Sequence, residues 1–511
     1  MDFFESLIAL LALAVLLLQV ARRTWIPYPT MLALAGVVVA LVPGAPSIAL
    51  EGHTALALFI APVLLDAAFD FPLAAVRRLW VPLLSLAVAA VIVTTAVVAW
   101  IGWTFAGLPI AAAITLGAIV APPDAAAATT VLRSAALPRR TAQLLTGESL
   151  LNDASALLLF AGATAIQSHG GIDAGVGLRL GLAVPGGIVL GLAMGWIMGR
   201  IVPFTRGSFG GNLFEFVGTF SAWILAERLG FSAVICVVVM AMFVANFSSA
   251  SADARNRVQS FAVWGTVVFV LNVVAFLLMG MQVRQIVAGL TAERAHEAAA
   301  FAGMVVLAVV TTRMAWVLLY NRLALHFAVL REGPEPPSLA QSVLIGWCGM
   351  RGLVTVATAF ALPADFPQRD LIVLCAFAVV LATLVVQGLT LAPLIRLLGL
   401  GDGDKDDEEH DAARRALADA ANERLAQEHG PLADDARRQI AIDRAGLDGD
   451  CGDYNERQRL KLAMIAAQRA RLRQLRDEDE VGQESYELLQ EELDWRELAI
   501  GPAGQQLIEE G

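Results

Sequence analysis

Residues Thr146-Gly147-Glu148-Ser149-Leu150-Leu151-Asn152-Asp153 put two acids, an amide and two hydroxyls into a short stretch of a chain that is otherwise mostly hydrocarbon. An ionisable group near the centre of a membrane helix costs about 2.5–3.5 kcal/mol, so a cluster like this marks a candidate functional site. On a helix, Glu148 and Asn152 share one face and Ser149 and Asp153 the adjoining one, so the four can converge on a single wedge. Carboxylate, amide and hydroxyl oxygens suit a small hard cation. Asp124 stands upstream, just after Ala121-Pro122-Pro123. Backbone opened there adds carbonyl oxygens, Pro123's among them, while Asp124 is either a site member or the N-cap of a following half-helix. A carboxylate buried away from countercharge holds its proton more tightly than in water. Protonation then competes with cation binding, which is the minimal device for exchange. That role is assigned to Asp153. Arg351, far downstream, needs a buried acid, and Glu148 is the expected partner in a structural ion pair.

These residues need a membrane scaffold to hold them. The chain has 511 residues, is 57% hydrophobic and has a mean hydropathy of +0.66, against about 45–50% apolar for a soluble domain. Apolar runs of about 20 residues match a ~30 Å hydrocarbon core. Thirteen spans are predicted, near 5–21, 29–44, 53–70, 79–103, 107–133, 140–165, 177–203, 213–229, 231–249, 260–284, 297–325, 339–361 and 370–397. No cleavable signal peptide is expected at the start. With the N-terminus outside, fourteen arginines fall on cytoplasmic loops and five on the other side, as the positive-inside rule requires. The expected location is a bacterial inner membrane, crossed many times, with the C-terminal end in the cytoplasm.

Two spans carry helix breakers at mid-membrane. Span 5 contains Pro122-Pro123, and span 12 contains Gly346-Trp347-Cys348-Gly349-Met350-Arg351-Gly352. Open backbone at that depth is tolerated only around a site or a cavity. Each broken span is central in a triad, 4–6 and 11–13, and the triads enter from opposite sides. That is the geometry of an inverted repeat.

The chain divides by charge. Residues 1–400 carry a net +3, with arginine as the sole basic type, and the remainder carries −14. The expected domains are a transmembrane domain over 1–400 and an acidic, helical cytoplasmic domain over 401–511. The acidity argues against nucleic acid as a partner. Cys236, Cys348, Cys375 and Cys451 have no metal or disulfide spacing and read as small hydrophobes. No metal site beyond a transported monovalent cation and no cofactor is expected. Arg313, within Val310-Thr311-Thr312-Arg313-Met314-Ala315-Trp316, is deep enough to need an acid or exposed carbonyls.

Several segments together resemble the monovalent cation:proton antiporter-1 family, the sodium/proton exchangers of bacterial NhaP type. They are Ala118 to Ala125, Gly147 to Ala154, Phe269 to Gly280, Gly349 to Val354 and Val385 to Leu391. The resemblance implies an all-α, NhaA-like antiporter fold of thirteen spans with a dimer domain and a six-helix core, working as a homodimer among membrane lipid. It implies that Asp153 is the carboxylate shared by Na⁺ (or Li⁺) and H⁺, with Ser149, Asn152, Asp124 and the Pro123 carbonyl around it. It implies that Glu148 pairs with Arg351. Many members have Thr where this chain has Pro123, which removes a hydroxyl ligand. Members with Asn before the key Asp are electroneutral, and Asn152 fits that pattern.

The expected function is therefore secondary transport of Na⁺ against H⁺ by alternating access, not enzyme catalysis. The same antiporter with K⁺ as its ion is the near alternative. An intramembrane aspartyl hydrolase using Asp124 and Asp153 is a distant one. A nontransporting sensor with a signalling tail is a third.

Overall fold

The computed structural model describes the chain except for residues 1, 22, 25, 43–51, 125–138, 170, 172–173, 206–208, 248–253, 288–291, 328–329, 331–337, 401–403, 448–450, 479, 481–482 and 501–511. All regular structure among the described residues is helical. The chain separates into two compact units, Met1–Asp402 and Gly403–Glu510.

In the first unit the helices are α1 (Asp2–Ala21), α2 (Tyr28–Leu41), α3 (Gly52–Phe69), α4 (Leu73–Phe105), α5 (Ile110–Val120), α6 (Arg139–His169), α7 (Ala174–Thr205), α8 (Phe209–Leu229), α9 (Ala233–Phe247), α10 (Ala254–Met281), α11 (Val283–Val287), α12 (Ala292–His326), α13 (Leu339–Trp347), α14 (Leu353–Phe360) and α15 (Arg369–Leu397). Seven are long and apolar enough to cross a membrane, and four shorter apolar helices accompany them. Tryptophans lie near both ends of α4: Trp80 at one, Trp100 and Trp103 at the other, all exposed. Amphipathic rings of this kind favour the two bilayer interfaces.

Prolines shape the long helices. Pro82 has no N–H and crowds the turn before it. Leu79 accordingly leaves helical geometry, at φ −103° and ψ 16°. The helix then widens into a π-helical stretch over Ser85–Ala89. Trp316 of α12 donates its Nε1–H there, to the Ser85 carbonyl at 3.1 Å and to Oγ at 3.2 Å. A helix irregularity is thus satisfied by a neighbour, as a lipid environment demands.

Small residues set the closest helix crossings. A Cβ on either Gly36 or Gly280 would lie 2.9 Å from the other's Cα, so α2 and α10 pack backbone to backbone. At Gly117 of α5 a Cβ would meet Thr95 Cα at 2.9 Å, which holds α5 against α4. Helix α6 packs against α4 and α5, and α14 against α3, α5 and α15. Two apolar clusters fill the interior, a large one reaching from Leu10 to Ile395 and a second joining α4, α5, α12 and α15. Thr30 of α2 donates to the Leu384 carbonyl of α15 at 2.8 Å. Cys236, Cys348 and Cys375 are buried and free, and the side chain of Cys451 lies outside the described residues.

The stretch expected as span 5, 107–133, is described only in part. Helix α5 ends at Val120, residues 121–124 are not helical, and 125–138 lie outside the described residues. The stretch expected as span 12 holds two short helices, α13 and α14, with residues 348–352 non-helical between them.

The second unit contains α16 (Asp404–Leu425), α17 (Pro431–Leu447), α18 (Cys451–Asp477) and α19 (Gln483–Ile500), each packed on the next. Ile465 and Leu472 of α18 bury against Leu493 of α19. Arg469 bridges Asp494 at 2.5 Å and Glu497 at 2.6 Å, and Arg476 lies over the Tyr486 ring at 4.6 Å. Its remaining ion pairs are exposed and contribute little each.

Candidate functional site

Of the side chains named from the sequence, Glu148, Asn152 and Asp153 of α6 are brought close to Asp124 and Arg351 in the two non-helical stretches, and Ser149 lies on α6 about one turn before Asp153. Pro122 and Pro123 supply no N–H, so the ladder of α5 cannot continue through them. The glycines at 349 and 352 let backbone and side chains approach closely at the second stretch. A Cβ on Gly352 would lie 2.6 Å from Asp124 Cγ and still closer to Oδ2. The two stretches are bonded directly, Asp124 N donating to the Met350 carbonyl at 2.7 Å.

Each stretch serves the helix end of the other. Gly352 is the N-cap residue of α14, so the Asp124 carboxylate rests at a helix N-terminus, the positive end of its dipole. Arg351 sits at the opposite polarity. It donates Nε–H to the Val120 carbonyl at 3.0 Å and Nη2–H to Ala121 at 2.9 Å, covering the carbonyls that α5 leaves open at its C-terminus. It also donates to its neighbour's carbonyl at Gly349. Its own N–H goes to Thr383 Oγ1 on α15 at 3.0 Å.

This geometry corrects one expectation. Glu148 is buried and pairs with Arg313 of α12, not with Arg351. Arg313 Nη1 meets Oε1 at 2.5 Å and Nη2 meets Oε2 at 3.0 Å, a two-point clasp, and Nη2 also donates to the Ile345 carbonyl at 3.1 Å. A fork-on-fork pair satisfies both charges at once. Arg351, pointing at peptide carbonyls instead, needs no acid as direct partner. Arg313 was visible in sequence as a deep arginine in need of an acid or exposed carbonyls, and it has both. What sequence did not reveal was that backbone carbonyls would satisfy Arg351.

Around Asp153 the surroundings differ. Its side chain is 6% exposed, and its carboxylate makes no hydrogen bond or ion pair among the described residues. Asp124 lies near enough for the two charges to interact. Asn152, fully buried, donates Nδ2–H to the Pro123 carbonyl at 2.6 Å, while its Oδ1 has no partner. Ser149 is partly buried and its hydroxyl is likewise without a hydrogen bond among the described residues. Glu148 is thus held in a closed charge pair, while Asp153, Asn152 and Ser149 of the same helix leave a carboxylate, an amide oxygen and a hydroxyl unspent among the described residues. That donor set fits a small cation stripped of part of its water.

Glu215, an acid on α8, is engaged elsewhere: it accepts from Ser260 Oγ at 2.9 Å and Trp264 Nε1 at 2.8 Å, both on α10. The Trp264 ring stacks on Phe216.

The family described as sodium/hydrogen exchanger, transmembrane, matches residues 7–397. An uncharacterised Na⁺/H⁺ exchanger of Mycobacterium tuberculosis is 28% identical, the alignment covering 97% of this chain and 95% of that protein. A sodium, potassium, lithium and rubidium/H⁺ antiporter of Bacillus pumilus is 27% identical over 96% of this chain and 77% of its own length. In fold, the chain resembles the sodium proton antiporter MjNhaP1 of Methanocaldococcus jannaschii at pH 8, with a TM-score of 0.59 and 18% identity over 78% of this chain and 100% of that one.

Proposed function

The chain belongs to the sodium/hydrogen exchanger family, and on that premise we propose that it carries Na⁺ across a membrane in exchange for H⁺, with Asp153 binding each in turn. The observation that supports this most is the contrast within α6: a buried carboxylate without a hydrogen-bond partner among the described residues, beside the unspent Oδ1 of Asn152. A bare, buried carboxylate is costly, so it carries either a proton or a cation when it moves between aqueous faces. Asn152, tied to the Pro123 carbonyl, fixes the chain next to Asp153, and Ser149 completes the ligand set. Glu148 is already neutralised by Arg313. One exchangeable carboxylate supports one proton per cation, an electroneutral exchange.

In the same reading the membrane unit has thirteen spans with two inverted triads, works as a homodimer in a bacterial inner membrane, and keeps its N-terminus outside and its acidic C-terminal unit in the cytoplasm. A K⁺-coupled version has one observation in its favour. The Bacillus pumilus relative, aligned through the C-terminal unit, is named for sodium, potassium, lithium and rubidium together.

Purified protein in liposomes under an imposed pH gradient tests the proposal. Na⁺ added outside should dissipate the gradient, and clamping the voltage at zero should leave the rate unchanged. A rate that rises when the voltage is clamped would overturn electroneutrality. Equal rates with Na⁺ and K⁺ would select the second reading. Na⁺-driven proton movement that is undiminished in Asp153→Asn would end the proposal altogether.

A further inference from the structure

Gln387 of α15 is 2% exposed, and neither its Nε2 nor its Oε1 has a hydrogen-bond partner among the described residues. A buried primary amide brings two donors and an acceptor, and leaving all of them idle is rare enough to call for a reason. Its place on the helix is fixed by its neighbours. Thr383, one turn earlier, accepts from Arg351 N at 3.0 Å, and Thr390, about one turn later, accepts from Trp347 Nε1 at 3.0 Å. The face of α15 that carries Gln387 therefore runs alongside the non-helical stretch 348–352. The adjoining residue agrees: a Cβ on Gly388 would lie 2.6 Å from Thr30 Oγ1 and 3.7 Å from Met350 Sδ.

Across from that face is the C-terminal end of α13. Its final carbonyls need partners outside the helix. Leu344 O receives Cys348 N, and Ile345 O receives Arg313. The carbonyls of Gly346, Trp347 and Cys348 accept no hydrogen bond among the described residues. Idle donors and idle acceptors thus stand on adjoining elements without meeting. A mismatch of this kind is explained when a second conformation closes it, because the two states then differ in free energy by the bonds formed.

We propose that Gln387 is a positioning residue for the exchange, donating its amide N–H to the open carbonyls at the end of α13 in the conformation that presents Asp153 to the opposite side of the membrane. This rests on the alternating-access reading given above. It assigns Gln387 no contact with the transported ion. Its substitution should slow the conformational step and leave ion affinity alone.

The test compares native protein, Gln387→Met, Gln387→Asn and Asp153→Asn in liposomes, with thermal unfolding measured in detergent. Gln387→Met keeps the side-chain length and removes the amide. Its unfolding midpoint should equal or exceed that of native protein, its maximal Na⁺-driven rate should fall about tenfold, the factor expected for one hydrogen bond, and its half-saturating Na⁺ should stay unchanged. Gln387→Asn keeps the amide one methylene short of its reach and should lose rate similarly. A native maximal rate in both variants overturns the proposal. So does a lowered midpoint or failed assembly of Gln387→Met, since the amide would then be bonded in this conformation, and so does a raised half-saturation. Activity in Asp153→Asn would instead sink the exchanger reading. An inactive Asp153→Asn beside fully active Gln387 variants would remove this inference only.

Discussion

Glu148 and Asp153 stand five residues apart on α6, about one and a half turns, yet their surroundings have little in common. Glu148 is clasped at two points by Arg313, which also reaches a backbone carbonyl. Asp153 is nearly as buried and has no hydrogen-bond partner among the described residues. The acid that is fully satisfied cannot trade its partner for an ion without leaving Arg313 uncompensated. The acid that is unsatisfied has a standing reason to bind something. One helix therefore supplies a structural anchor and an exchangeable group, and the division is made by what each neighbour contributes.

Asp153→Asn should have the largest effect. Na⁺-driven proton movement in everted vesicles should drop to background while yield and unfolding midpoint hold, because no native hydrogen bond is lost. Arg313→Ala should do the reverse and damage assembly. Breaking a buried pair from one side costs about 3–5 kcal/mol, visible as lost yield or a lowered midpoint, and the Glu148→Gln/Arg313→Gln double variant should recover part of it. If Glu148→Gln instead folds normally and fails to bind cation, the two acids' roles are reversed.

Gly352→Ala sharpens the comparison at Asp124. Its Cβ would collide with the Asp124 carboxylate, and displacing a site group by about 1 Å can cost 10²-fold. A large fall in rate with little change in yield is expected. Asn152→Ala removes the 2.6 Å bond to the Pro123 carbonyl. It should cost about 1 kcal/mol of stability and raise half-saturating Na⁺, measured by unfolding and by flux. The smallest change is expected from ending the chain at Asp402, the boundary between the compact units. The shortened protein should still exchange ions, and complete loss of flux would give the C-terminal unit a direct part in transport.

The same contrast explains how far the sequence could be read. An all-helical membrane protein follows from apolar runs of bilayer length, since backbone in hydrocarbon must satisfy itself within each segment. The family was legible because its motifs recur in order along residues 118–391. Arg313 could be recognised as a deep charge in need of an acid or exposed carbonyls. Sequence reasoning pairs Glu148 with Arg351, whereas the structure pairs it with Arg313, because residue order does not say which of two deep arginines lies beside an acid and which beside open carbonyls. Spacing along the chain carries no information on which peptide carbonyls a folded neighbour leaves open. For the same reason, nothing in the run Val385 to Leu391 distinguishes Gln387 from an ordinary buried amide.

What the sequence determined by itself was composition at each depth: where hydrocarbon is continuous, where proline and glycine forbid a helix from continuing, and which few polar groups must find company inside. Tertiary structure decided the pairings. Val120 and Ala121 turned their carbonyls to Arg351, Arg313 was freed for Glu148, and Asp124 came to rest at the start of α14. The physical reason is that a hydrogen bond is set by three-dimensional distance and direction over a few ångströms, quantities that a linear order of residue types does not contain.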